Sequence, residues 1–149
     1  MTRRCTPRIL AAMFERVRFS RYAWRFERAF KTDDWEPVKE CFHPDARYFI
    51  VGGPPDIAET HGADNIIRLF QRMLNEIDRK YDKRSPRLSG WPRLRDGELS
   101  LHWSVKYTLG ERSTVLTGES RCRFDGAKII ELRDTMPPDE IARWRAMVA

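Results

Sequence analysis

At 149 residues, 41% hydrophobic and 34% charged, the chain has the composition of an ordinary soluble domain and enough length for one buried core. Its net charge of +6 predicts weak attraction to anionic surfaces and ligands, but no aromatic residues interleave a basic sheet, so nucleic acid is not an expected partner. No run is apolar enough to cross a membrane, and Cys5, Cys41 and Cys122 are too widely spaced for a disulfide framework or a CxxC zinc site, which points to a reducing cytoplasm.

Residues 1–19 mix arginines with Ile9, Leu10, Met13, Phe14 and Val17, the spacing of an amphipathic helix, and read as a basic N-terminal extension to one domain spanning 20–149. A second helix is expected from Ser20, a candidate N-cap, with Tyr22, Phe26, Ala29 and Phe30 on one stripe. Asp34 reads as the cap of a third helix carrying Val38, Cys41 and Phe42, which His43-Pro44-Asp45 terminates. Arg47 to Val51 then alternates as a strand with Tyr48 and Ile50 on one face. From Gly62 the run Ile66, Ile67, Phe70, Met73, Leu74 and Ile77 has the strongest helical period in the chain. Asp78 to Arg95 is crowded with basic residues and restricted by Pro86 and Pro92, so a strand over 87–95 would be an edge or bulged one.

Glu98 to Asp134 reads as an antiparallel meander. Leu99, Leu101, Trp103, Val105 and Tyr107 alternate with polar residues, and a turn over Leu109 to Arg112 sets Trp103 opposite Gly118 and His102 opposite Glu119. A three-residue bulged loop, Asp125 to Ala127, keeps Glu131 and Arg133 out of the core. It predicts Glu119 opposite Arg133, Arg121 opposite Glu131, and an inner-face row of Trp103, Gly118 and Asp134. Pro137-Pro138-Asp139 then starts a terminal helix with Ile141, Trp144 and Val148. Helices early and antiparallel strands late make the fold class α+β.

Three stretches carry a family resemblance: Phe26…Asp34-Trp35-Glu36…Cys41-Phe42-His43-Pro44-Asp45-Ala46, then Gly62-Ala63-Asp64-Asn65-Ile66, then Phe124-Asp125-Gly126…Lys128-Ile129 with Arg133-Asp134. In order and spacing, over residues 20 to 136, they resemble SnoaL-like members of the nuclear transport factor 2-like superfamily. The resemblance implies a cone-shaped roll: a strongly curved antiparallel sheet around a long N-terminal helix, a pocket inside, and a homodimer through the outer sheet face. Residues aligned to the tyrosine, base and protonated aspartate of ketosteroid isomerase are Phe26, Ile50 and Ser120, so those roles are lost. One catalytic aspartate of limonene epoxide hydrolase falls on Asp134, but Leu101-His102-Trp103 replaces the partner Arg-x-Asp motif.

Asp134 is therefore the candidate catalytic residue, an acid or base tuned by burial beside Trp103. Trp103, Tyr107, Ser120, Gly118, Tyr48, Phe26, Phe30 and Phe70 are the candidate substrate-binding residues, lining an apolar cavity with a few polar groups. His43 has no second ligand at metal spacing, and no metal or cofactor is expected. The expected activity is that of an isomerase, hydrolase or cyclase on an apolar cyclic small molecule. The alternative is a non-catalytic dimerisation or scaffold module of the same fold.

Overall fold

The computed structural model describes residues 7–149, with side-chain surroundings from residue 13. Helix α1 runs unbroken from Pro7 to Thr32, so Ser20 is an interior, exposed position and not an N-cap. Nothing in this stretch breaks a helix after Pro7, and the inward stripe continues from Phe19 through Tyr22, Phe26, Ala29 and Phe30. Residues 1–6 of the basic extension, Cys5 among them, lie outside the described residues. At the far end Asp33 takes φ 59°, a left-handed conformation that Asp tolerates, and its N–H donates to the Ala29 carbonyl at 2.8 Å.

Helix α2 (Glu36–Lys39) is a single turn with Pro37 in its first positions, and it has no side-chain cap from Asp34. Strand β1 (Phe42–Val51) begins five residues earlier than the sequence pattern implies, so Phe42 is a strand residue and not a helical one. A 3-10 turn at Pro55–Ile57 and the short strand β2 (Glu59–His61) lead to α3 (Ala63–Glu76). In α3, Ile66, Ile67, Phe70 and Leu74 are buried, as the periodicity requires. Strands β3 (Lys83–Arg95), β4 (Glu98–Leu109), β5 (Arg112–Asp125) and β6 (Lys128–Thr135) form the meander, and α4 (Pro138–Ala146) closes the chain.

The six strands make one curved, unclosed sheet in the order β2-β1-β6-β5-β4-β3. Every pair is antiparallel except β1 with β6, which is parallel and sets Ile50 beside Asp134. This is the expected α+β roll, with α1 and α3 against the inner sheet face. Phe42, Ile66, Leu99, Ile129 and Leu132 are among its fully buried side chains, each worth about 1.5–3 kcal/mol of transfer free energy.

The β4–β5 register agrees with the sequence argument: Trp103 faces Gly118, His102 faces Glu119, and Thr108 faces Ser113. The β5–β6 register does not. Asp125 pairs with Lys128 across a two-residue turn, and a bulge at Ile130 then supplies the odd residue, which shifts the pairing. Arg121 therefore faces Arg133, Arg123 faces Glu131, and Ser120 faces Asp134. A tight turn plus a bulge preserves the same parity as a three-residue loop, so Leu132 and Asp134 still point inward while Arg133 stays out. Near the bulge the inward residue is Ile129, 1% exposed, and not Ile130.

Candidate functional site

The shifted register gives Asp134 its surroundings. Ser120, directly opposite on β5, donates its hydroxyl to Asp134 Oδ1 at 2.5 Å. Tyr48, on β1 and 86 residues away in sequence, donates its phenol to Oδ2 at 2.6 Å. Trp103 Nε1–H donates to Ser120 Oγ at 2.9 Å, which leaves the serine proton for the carboxyl group. Three strands thus aim a relay of donors at one half-buried carboxylate.

Burial raises the Asp134 pKa, and the hydrogen bonds from Ser120 and Tyr48 counter it only in part. No cationic side chain contributes to its shift. The Tyr48 phenol lies well above its usual range because it is buried and because Asp134 adjoins it, so it stays a neutral donor. Tyr22, reaching in from α1, is shifted the same way, by burial first and then by Asp134. The carboxyl group is therefore ringed by neutral groups, poised to accept a proton more readily than a free aspartate.

The substrate-binding candidates divide. Tyr48, Ser120 and Trp103 converge on Asp134. Phe70 stacks edge-on against Tyr48, ring centroids 5.2 Å apart, and Phe26 against Phe70 at 5.3 Å, forming an apolar wall behind the tyrosine. Gly118 belongs to the site in another way than the sequence implies. It does not share a row with Asp134, and the space above it is filled: any Cβ there would overlap the Trp103 indole. The glycine makes room for the ring that positions Ser120.

Tyr107 and Phe30 lie in a different cluster. Tyr107 donates its phenol to Asp78 at 2.6 Å, and Arg84 binds Glu27 through Nη1 at 2.6 and 2.9 Å while its Nε lies 3.6 Å from Asp78. Arg84 and Arg79 both stack over the Phe30 ring. Burial lifts Asp78 to about 6, against the opposing pull of Tyr107 and Arg84. Sequence reading missed Asp78 because it stands in a basic stretch with no readable period. The signal for Tyr48–Asp134 was present, both being assigned inward, but the parallel β1–β6 contact that joins them leaves no local trace.

The histidines hold surface partners: His43 lies 3.6 Å from Asp125, and His61 2.7 Å from Glu59. Among the described residues no three His, Cys, Asp or Glu side chains converge as a metal site requires. Two clefts of about 220 and 580 Å³ open beside α4, the smaller lined by Ile50, which pairs with Asp134 from the adjoining strand, and by Met136, just past the end of β6; Asp134 itself lines neither.

Comparison with known proteins places this geometry. No curated protein gives a significant sequence match. Among solved structures, a candidate isomerase from Rhodopseudomonas palustris superposes with a TM-score of 0.67 at 13% identity, covering 87% of this chain and 96% of that one. TerC co-crystallised with polyporic acid gives 0.64 at 14% identity, covering 95% and 99%. Bal32a, from a soil-derived mobile gene cassette, gives 0.64 at 16% identity, covering 89% and 97%. At such identities these neighbours share the fold alone. The SnoaL-like domain profile matches residues 23–136, and with the roll and its neighbours it shows that the chain belongs to the SnoaL-like family of the nuclear transport factor 2-like superfamily.

Proposed function

We propose that the roll binds a small, apolar, cyclic molecule by a polar handle at Asp134 and acts on it by acid–base chemistry of the isomerase, hydrolase or cyclase type. The observation that carries this reading is a carboxyl group of raised pKa, oriented by Tyr48 and Ser120 and backed by Phe70, with no cation to hold it ionised. Ionised, Asp134 takes a proton from the ligand. Protonated, it donates to a ligand oxygen beside the Tyr48 phenol. The superfamily neighbours include a candidate isomerase and a protein co-crystallised with polyporic acid, which fits a small-molecule role.

Two features favour the second reading, a non-catalytic dimerisation module: both Asp134 oxygens already have partners, and neither cleft reaches them. In both readings the outer face of β4–β6 forms a homodimer. It carries exposed Val115, the His102–Glu119 pair at 3.5 Å, Arg121 between Glu119 and Glu98, and Arg133 stacked 4.3 Å over Phe49. Ile129 on β6 is buried and takes no part in this patch. Free Cys41 and Cys122, both buried, suit a reducing cytoplasm.

Native mass spectrometry of the purified protein tests both readings together. The enzymatic one predicts a dimer that releases an apolar small molecule on denaturation; Asp134→Asn keeps that ligand but loses its conversion by about a hundredfold or more. A dimer free of ligand, unable to convert any, favours the scaffold. A monomer contradicts the interface.

A further inference from the structure

Four of the eight large apolar side chains that stand exposed among the described residues lie on α1: Met13, Phe14, Val17 and Trp24, each 57–61% exposed. At about 100° per residue, Met13, Val17 and Trp24 fall within roughly 40° of one another, on the side of the helix opposite buried Tyr22 and Ala29. From Met13 to Trp24 this ridge runs about 16 Å along the axis. The helix therefore carries two apolar stripes, one packed in the roll and one without a partner. An apolar patch rimmed by charge marks a surface that meets something.

The rim has one sign. Arg16 borders the outer stripe on one flank, Arg21 and Arg28 on the other, and Lys31 stands two turns beyond Trp24. All four are exposed, and among the described residues none forms an ion pair. Residues 1–12 contain no acidic side chain that could supply one. Both acidic residues of α1 are turned to other uses: Glu27 accepts from Arg84 at 2.6 and 2.9 Å, and Glu15 faces inward with Oε2 buried. Arg28 lies over the Trp24 ring at 5.3 Å, which holds positive charge directly beside apolar surface.

We propose that this face of α1 docks the protein on an anionic phospholipid membrane. The helix lies flat in the interface, with Met13, Val17 and Trp24 at the acyl boundary and Arg16, Arg21, Arg28 and Lys31 reaching the headgroup phosphates. A second copy of the chain fits this face less well, because two such faces packed together set arginine against arginine with no free carboxylate between them. A nucleic acid would engage the arginines and leave the apolar ridge in water. Helix α1 packs its other side on the inner sheet face, so a dimer through the outer sheet face leaves the ridge open. The docking surface is independent of the Asp134 reading.

Co-sedimentation of the full chain with large unilamellar vesicles tests it at physiological ionic strength, comparing phosphatidylcholine alone with phosphatidylcholine containing phosphatidylserine. The expected result is binding to the phosphatidylserine vesicles at least about tenfold tighter than to the neutral ones. Tryptophan emission should shift to the blue on binding as Trp24 leaves water. The Val17→Gln/Trp24→Gln and Arg21→Gln/Arg28→Gln variants, which alter only exposed side chains, should each weaken binding by about tenfold or more while circular dichroism and thermal unfolding stay those of wild type. Four results overturn the proposal: no binding to phosphatidylserine vesicles; equal binding to both kinds; undiminished binding by Val17→Gln/Trp24→Gln, which would mark a general polyanion site; or a lipid-free oligomer that this variant dissociates, which would assign the face to a second copy.

Discussion

Gly118→Leu is expected to destabilise the protein by about 3 kcal/mol, near the upper end of overpacking penalties. The indole of Trp103 lies across the glycine so closely that even a methyl group overlaps it, and the overlap is with a rigid ring and not with the end of a flexible chain. Leucine must therefore expel Trp103 from the inner face. Its N–H then leaves Ser120, and Ser120 loses the bond that directs its proton to Asp134. Trp103→Phe removes the donor together with the outer indole atoms that cover the glycine, so its cost is the hydrogen bond, about 1 kcal/mol, plus the packing lost over Gly118. Denaturant unfolding of both variants measures the difference. A Gly118→Leu protein as stable as wild type would show that the glycine keeps space for something other than Trp103.

The second large effect is a stability that rises as the solution is acidified. Asp78 is buried at the junction of α1, β3 and β4 and titrates at about 6 in the folded protein, against about 3.9 in an unfolded chain. Between those values the native state holds a proton that the unfolded state has lost, so unfolding free energy falls with rising pH across this window. Two pKa units correspond to about 3 kcal/mol between pH 4 and pH 7. Asp134, also raised, adds to the same slope. Exposed Asp33 and Asp64, lowered by Arg79 and Lys39, act in the opposite direction. For that reason the informative quantity is the difference between wild type and Asp78→Asn, which keeps an acceptor for Tyr107 and cannot titrate. Denaturation series at several pH values should show wild type gaining on the variant toward pH 4.5. Parallel profiles would place Asp78 in a more polar setting than the structure does.

The reach of the sequence had a physical boundary. Alternation in β4 and β5, the period of α3, and the inward assignment of Tyr48, Ile50 and Asp134 were all legible because they are local consequences of burying one face. The family motifs then supplied the roll. Charge parity kept Arg133 outside, but it could not distinguish a three-residue loop from a two-residue turn followed by a bulge, since both place the same residues inward. That single ambiguity moved the partner of Asp134 from Gly118 to Ser120. The Tyr48 contact rests on a parallel pairing between strands 86 residues apart at that point, and Asp78 on packing in a stretch where prolines and arginines erase any period. Each is a tertiary fact with no sequence neighbourhood to announce it.

Asp134 is the centre of the functional account, and its ionisation can be followed without knowing any ligand. Carbon-13 NMR of the aspartate carboxyl groups across pH, with the Asp134 resonance assigned through Asp134→Asn, reads its pKa in the folded protein. The account predicts a midpoint above the roughly 3.9 of a free aspartate, raised further in Tyr48→Phe, where Oδ2 loses its donor. A midpoint at or below the free value would mean a carboxylate held ionised by its surroundings, and the acid–base role would be contradicted.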